Sequence, residues 1–185
     1  MRKLLAPLNY LRIFHKEKFY FDVLLPIILT SLIVVANYYL PQKLSLLGDK
    51  GFVAIVNGIL QILTGFYIAS LAAISTASLP RLDEEMRGEK PIYLWGKEKP
   101  ITRRRFLTSL FGYLSFVSLI TYFIGGLAQI AEPNIINLIS KYEVSWIFSG
   151  LKITYLLIIC NLLFVTILGL FFMIEDNINK PTLPH

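Results

Sequence analysis

The chain has 185 residues, 55% of them hydrophobic and 14% aromatic, with a formal charge of +6 and a mean hydropathy of +0.62. That balance leaves no length for a sizeable water-facing domain, and Cys160, the only cysteine, excludes an internal disulfide. The basic residues gather beside the ends of apolar stretches, which assigns them to membrane orientation rather than to direct contact with nucleic acid.

Residues 1–21 place Leu4, Leu8, Leu11 and Phe14 at three- and four-residue steps, with Arg2, Lys3, Arg12 and Lys16 as basic flanks. This spacing predicts an amphipathic helix lying on the inner leaflet. Phe19, Tyr20 and Phe21 mark the headgroup level, and Asp22 follows with a carboxylate that must reach water or a neighbouring cation. Four apolar stretches come next, 23–40, 51–79, 106–130 and 146–173, of 18, 29, 25 and 28 residues, with Lys152 their only formal charge. A bilayer core takes about 20 helical residues, so each can span. The fold class is therefore all-α: a polytopic four-helix transmembrane bundle over residues 22–173, preceded by an interfacial helix. The long basic leader and Pro26 in the first apolar run argue against a cleaved signal peptide, despite Val34 and Ala36 at a plausible cleavage spacing.

Pro26 sits in the first turn of span one, where a missing amide donor costs little. The short loop around Gly48, Asp49, Lys50 and Gly51 predicts that spans one and two are antiparallel neighbours. Span two is longer than a bilayer and is expected to protrude on the cytoplasmic side, with Ser75, Thr76 and Ser78 near that interface. Along it Gly65, Ala69, Ala73 and Ala77 fall four apart, and Gly58 extends the same side, so another helix can approach closely. The stripe reads first as packing against span one or span three within the subunit, and second as a homo-oligomeric seam. Asn57 and Gln61 in span two, and Asn161 in span four, would leave amides unsatisfied in lipid, so they are expected to turn inward. Interhelical bonding is their first reading and a pore lining their second.

The loop 80–105 is the one sizeable polar region. Arg81 to Gly88 can continue as a short helix before Pro91, Gly96 and Pro100 break it, and Trp95, with Tyr93 and Leu94, is apolar among charges. Arg103, Arg104 and Arg105 form the densest positive cluster, which attracts anionic lipid headgroups or, alternatively, docks a cytosolic partner together with Arg81, Arg87 and Trp95. Asp83, Glu84 and Glu85 read as a solvated, ion-paired turn rather than a metal site. Beyond span three, Pro133 opens an outer-leaflet helix with Ile135, Ile136, Leu138, Ile139 and Tyr142 on its apolar side. Lys152 is six residues past Trp146 and can snorkel outward. No Asp or Glu falls at the middle of a span, which argues against a proton-coupled exchanger. The tail, 174–185, carries two prolines.

Fourteen Lys and Arg lie on the side of the N-terminus, the 80–105 loop and the tail, against three or four on the other side. Under the positive-inside rule both termini are cytoplasmic and the site is the inner (plasma) membrane. Catalysis finds no motif: His15 and His185 are isolated, Cys160 lies in hydrocarbon, and no phosphate loop or zinc signature is present. The expectation is a non-enzyme without cofactor or metal.

Ala72-Ala73-Ile74-Ser75-Thr76, then Pro80, Leu82-Asp83, Met86 and Gly88, then Thr102 to Leu107 and Phe111-Gly112-Tyr113-Leu114 form a layout that resembles small four-span prokaryotic membrane proteins. It is also similar to the membrane subunits of the Kiwa anti-phage system. That resemblance, over residues 72–114, implies an inner-membrane assembly that works with a cytosolic DNA-binding partner, as a non-catalytic anchor or sensor with 81–105 as the docking face. The reading is an oligomeric scaffold or sensor subunit in anti-phage defence. A pore-forming effector that depolarises the membrane, motivated by Asn57, Gln61 and Asn161, is the alternative.

Overall fold

The computed structural model describes residues 6–13, 15–42, 44–48, 50–86, 100–142 and 145–178. Leu4, Phe14, Asp49, Arg87, Tyr93, Leu94, Trp95 and the end of the tail therefore lie outside the described residues. Among those described, the regular elements are all helical, and isolated bridge positions such as Glu85 with Thr102 join no strand. The six α-helices are α1 (Lys16–Phe19), α2 (Leu25–Tyr39), α3 (Phe52–Thr76), α4 (Arg103–Ile130), α5 (Glu132–Tyr142) and α6 (Ser145–Ile178). Four apolar segments, Tyr20–Tyr39, Phe52–Thr76, Arg103–Ile130 and Trp146–Ile174, are long enough to cross a membrane. The chain is an all-α, multi-pass membrane protein.

Helix ends follow local chemistry. Pro26 stands in the first turn of α2, and Thr102 caps α4 by accepting the Arg105 amide on its hydroxyl. Span two stops at Thr76, earlier than its apolar run, and Pro80–Asp83 follows as a 3-10 turn. Met86 N donates to Ile101 O and Arg103 N to Glu84 O, so the two ends of the 87–99 excursion meet at a closed base. The outer-leaflet helix expected from Pro133 is α5, whose first residue is Glu132 and which packs on α4 and α6.

The helices are ordered α3, α4, α6, α2 across the molecule. α4 packs most extensively on α3 and also on α6, while α2 packs on α6. Spans one and two are not neighbours: the backbones of α2 and α3 make no close approach. Their connection is tied elsewhere, because Gly48 N donates to Gln129 Oε1 on α4 and Lys152 Nζ on α6 donates to Leu44 O. Both loop anchors draw the chain across the end of the bundle, so a short loop does not force its two helices together.

The N-terminal segment also differs from one surface helix. Ala6–Arg12 is a 3-10 turn, α1 holds four residues, and Tyr20–Leu24 is a π-helical stretch. The 3-10 turn lies against α4, where Tyr10 and Ile13 are buried with Phe106, Leu107, Leu110, Phe111 and Leu114 in the core. The Tyr10 ring, buried against α4 with a phenol that finds an internal acceptor, holds the segment in. Cys160 is buried in the bundle as a small apolar residue.

Candidate functional site

The most polar part of the interior is built from five residues on five elements. Lys18 of α1 and Asp22 of the π-helical stretch are four apart, so their side chains share a face and form an ion pair. Tyr10 Oη donates to Asp22 Oδ1 at 2.7 Å, while Lys18 Nζ holds Oδ2. The Lys18 ammonium also sits 4.1 Å from the centroid of the Tyr10 ring, a cation–π contact. Asn161 Nδ2 donates to the Asp22 carbonyl at 2.7 Å, and its Oδ1 accepts from Tyr113 Oη at 2.7 Å. The Tyr10 and Tyr113 rings lie 5.1 Å apart.

Both charges are inside the molecule: the Lys18 and Asp22 side chains are 10% and 8% exposed. Burial first, and the Asp22 carboxylate second, push the Tyr10 phenol well above its ordinary value, which keeps it a donor. Asn161 stands midway between Ser145 and Ile178, so the pair lies beside the middle of the longest helix. Tyr113 is ten residues into α4 from Arg103, about 15 Å along a helix. Asp22 is the third residue of the Tyr20–Tyr39 segment, at a span's start, yet its side chain is enclosed by the bundle. The sequence placed Asp22 only at a span's start and asked for a cation; Lys18, one turn away, is that cation. The i,i+4 spacing was a usable signal for the pair. Tyr10 and Tyr113 carried none, because their partners are 12 and 48 residues away in sequence.

This arrangement is a clamp. Both carboxylate oxygens are engaged, and the balancing charge belongs to the same chain. It fastens the N-terminal segment to α4 and α6.

The other expected amides part company. Asn57 points inward: its Nδ2 approaches Tyr122 O at 3.4 Å and its Oδ1 is buried with no partner among the described residues. Gly125 makes room for it, since a Cβ there would meet Asn57 Oδ1 at 2.6 Å. Gln61, in contrast to expectation, is exposed on the outer face of α3. Gly58, Gly65, Ala69 and Ala73 are exposed on that face too, and a Cβ on Gly58 or Gly65 would meet open space. They therefore pack on neither span one nor span three; only Ala77, just past the helix, is half-buried against the core. α3 instead turns Val53, Val56, Leu60, Thr64, Tyr67 and Ile74 to its neighbours, with Thr64 Oγ1 bonded to Ser118 on α4 and Tyr67 Oη to Thr166 on α6.

At the basic end the arginine triplet divides. Arg104 Nε and Nη2 grip Asp83 Oδ1 and Oδ2 at 2.7 and 3.0 Å, and Nη1 donates to Ile74 O at 2.8 Å. One guanidinium thus joins the start of α4, the 3-10 turn and the end of α3. That hydrogen bonding holds the exposed Asp83 carboxyl below its ordinary value. Arg105 is exposed, whereas Arg81 and Arg103 are half-buried. Arg87 and Trp95 lie outside the described residues. Lys152 reaches Leu44 O at 3.0 Å at the opposite end. No protein-family model matches the chain, and comparisons with curated proteins and with solved structures find no match.

Proposed function

We propose that the chain is a non-enzymatic scaffold or sensor subunit of the inner membrane that self-associates through α3. Both termini and the 80–105 loop face the cytosol, where the loop meets a protein partner. The observation that carries this reading is the outward face of α3, with Gly58, Gly65, Ala69 and Ala73 opposite the core residues Val56, Leu60 and Tyr67. Side chains this small let a second helix approach to backbone distance, where dispersion accumulates in lipid without help from hydrophobic burial. The partner of the face is a second copy of α3. The basic end supplies cytosolic orientation and exposed Arg105 for anionic headgroups or the partner. By the resemblance of residues 72–114, that partner would be a DNA-binding protein and the setting anti-phage defence.

Cysteine cross-linking tests the seam. In a Cys160→Ala background, Ala69→Cys should form a disulfide-linked dimer in membranes, whereas Ile124→Cys, exposed on α4, should not. Absence of the Ala69→Cys dimer, or equal linkage at both positions, sinks the seam. Arg105→Glu should lower recovery of the cytosolic partner in a pull-down. The pore reading rests on the exposed Gln61 beside the seam, where several copies would converge. It requires ion leak from liposomes holding purified protein, and sealed liposomes remove it.

A further inference from the structure

A cleft of about 320 Å³ opens at the end of the bundle away from the arginine triplet. That volume suits a small ligand or one arm of a larger one, since ligand sites run from about 300 to 1,000 Å³. It exists because α2 and α3 do not pack together: their connection bridges the gap and roofs it with Leu44, Ser45 and Leu46. The roof is pinned. Leu44 N donates to Asn37 Oδ1 at 2.8 Å, Phe52 N to Ser45 O at 3.0 Å, and Lys152 Nζ to Leu44 O at 3.0 Å. Ile33 and Val34 of α2 and Ile153 and Leu156 of α6 form apolar walls, and Phe52 of α3 closes one side with its ring edge-on to Tyr155.

Lys152 is the one formal charge among the described lining residues, beside the neutral Asn37, Tyr38, Ser45 and Ser149. Lys152 has given one of its three protons to Leu44, and two remain. Asn37 uses its oxygen, so its amide nitrogen stays a donor with no acceptor among the described residues. No carboxylate is present among the described lining residues. A cation and an amide donor above branched aliphatic walls match an anion joined to hydrocarbon. The level fits as well: Lys152 is seven residues into α6, about 10 Å from its start. Tyr38, Tyr39 and Trp146 are exposed at the same end, where aromatic residues border a bilayer.

The geometry points to a binding site for one anionic phospholipid, with its phosphate on Lys152 and Asn37 and an acyl chain between α2 and α6. A zwitterionic lipid is disfavoured, because its ammonium would meet Lys152 and find no acid among the described lining residues. Lys152 then recruits a headgroup at a defined seat rather than reaching generally for water.

The test uses full-length protein in nanodiscs containing phosphatidylglycerol or phosphatidylcholine with a photoreactive diazirine on the acyl chain. Illumination is followed by peptide mapping. Phosphatidylglycerol should label residues 33–38 and 149–156 about tenfold more than phosphatidylcholine. Lys152→Gln should lower that labelling about tenfold, as expected for a lost charge-assisted hydrogen bond, and Lys152→Arg should preserve it. Excess inorganic phosphate should not compete. Equal labelling by the two lipids, labelling indifferent to Lys152→Gln, or displacement by phosphate, which would assign the seat to a soluble anion, each overturns the proposal. Should Lys152→Gln fail to fold, Val34→Phe decides: it fills the cleft, and unchanged labelling in that folded variant overturns the site.

Discussion

Asp22 is the residue on which the N-terminal segment depends. Its carboxylate accepts from Tyr10 and Lys18, its carbonyl from Asn161, and its surroundings exclude water from all but a small fraction of the side chain. Breaking one partner of a buried pair leaves a charge that the interior cannot solvate, at about 3–5 kcal/mol. Asp22→Asn, which strands Lys18, should therefore destabilise the detergent-solubilised protein by about that amount. Lys18→Met together with Asp22→Asn should recover part of the loss, because no bare charge is left behind. Denaturant titration of the two single variants and the double variant measures the coupling; simple additivity would show that the two side chains do not act together. This pair was half-legible in the sequence. Spacing related Lys18 to Asp22, but nothing local announced that Tyr10, Tyr113 and Asn161 would converge on them.

At the scale of elements, Arg104 binds three pieces of backbone that the chain separates. It takes Asp83 on two nitrogens and the Ile74 carbonyl on a third. Lysine cannot reproduce this planar fork, so Arg104→Lys should loosen the closed base between residues 84–86 and 101–103. Hydrogen exchange should report a several-fold fall in the protection of the Met86 and Arg103 amides, with the middle of α4 unchanged. Acid should do the same in the native protein. Hydrogen bonding to Arg104 lowers the Asp83 value from the ordinary 3.8. Its contribution is therefore complete above 3.8 and is lost as pH falls through the lower folded value. Protection at the base that persists below that range would detach Asp83 from this role. The arginine triplet shows what sequence reading leaves open: three identical residues share one charge pattern, and only the packing of α3 assigns Arg104 to the fold while Arg105 stays exposed.

For the whole molecule, orientation is the property that organises the proposal. Exposed Tyr39 lies toward the end that carries the cleft and exposed Arg105 at the opposite, basic end. In a Cys160→Ala background, a membrane-impermeant maleimide should label Tyr39→Cys in intact spheroplasts and Arg105→Cys only after lysis. The reverse pattern would place the basic end outside and remove the cytosolic partner with it.

The sequence by itself determined the all-α class and the four apolar helices long enough to cross a membrane, because an apolar run must match bilayer thickness. The tertiary structure alone decided which helices touch, which side of α3 faces outward, and how deep Asp22 lies. A lipid-facing surface and a protein-facing surface are about equally apolar, so hydrophobicity does not set the rotation of a helix within the bundle. That rotation follows from polar bonds between residues far apart in sequence, such as Thr64 with Ser118, Tyr67 with Thr166 and Asn161 with Asp22.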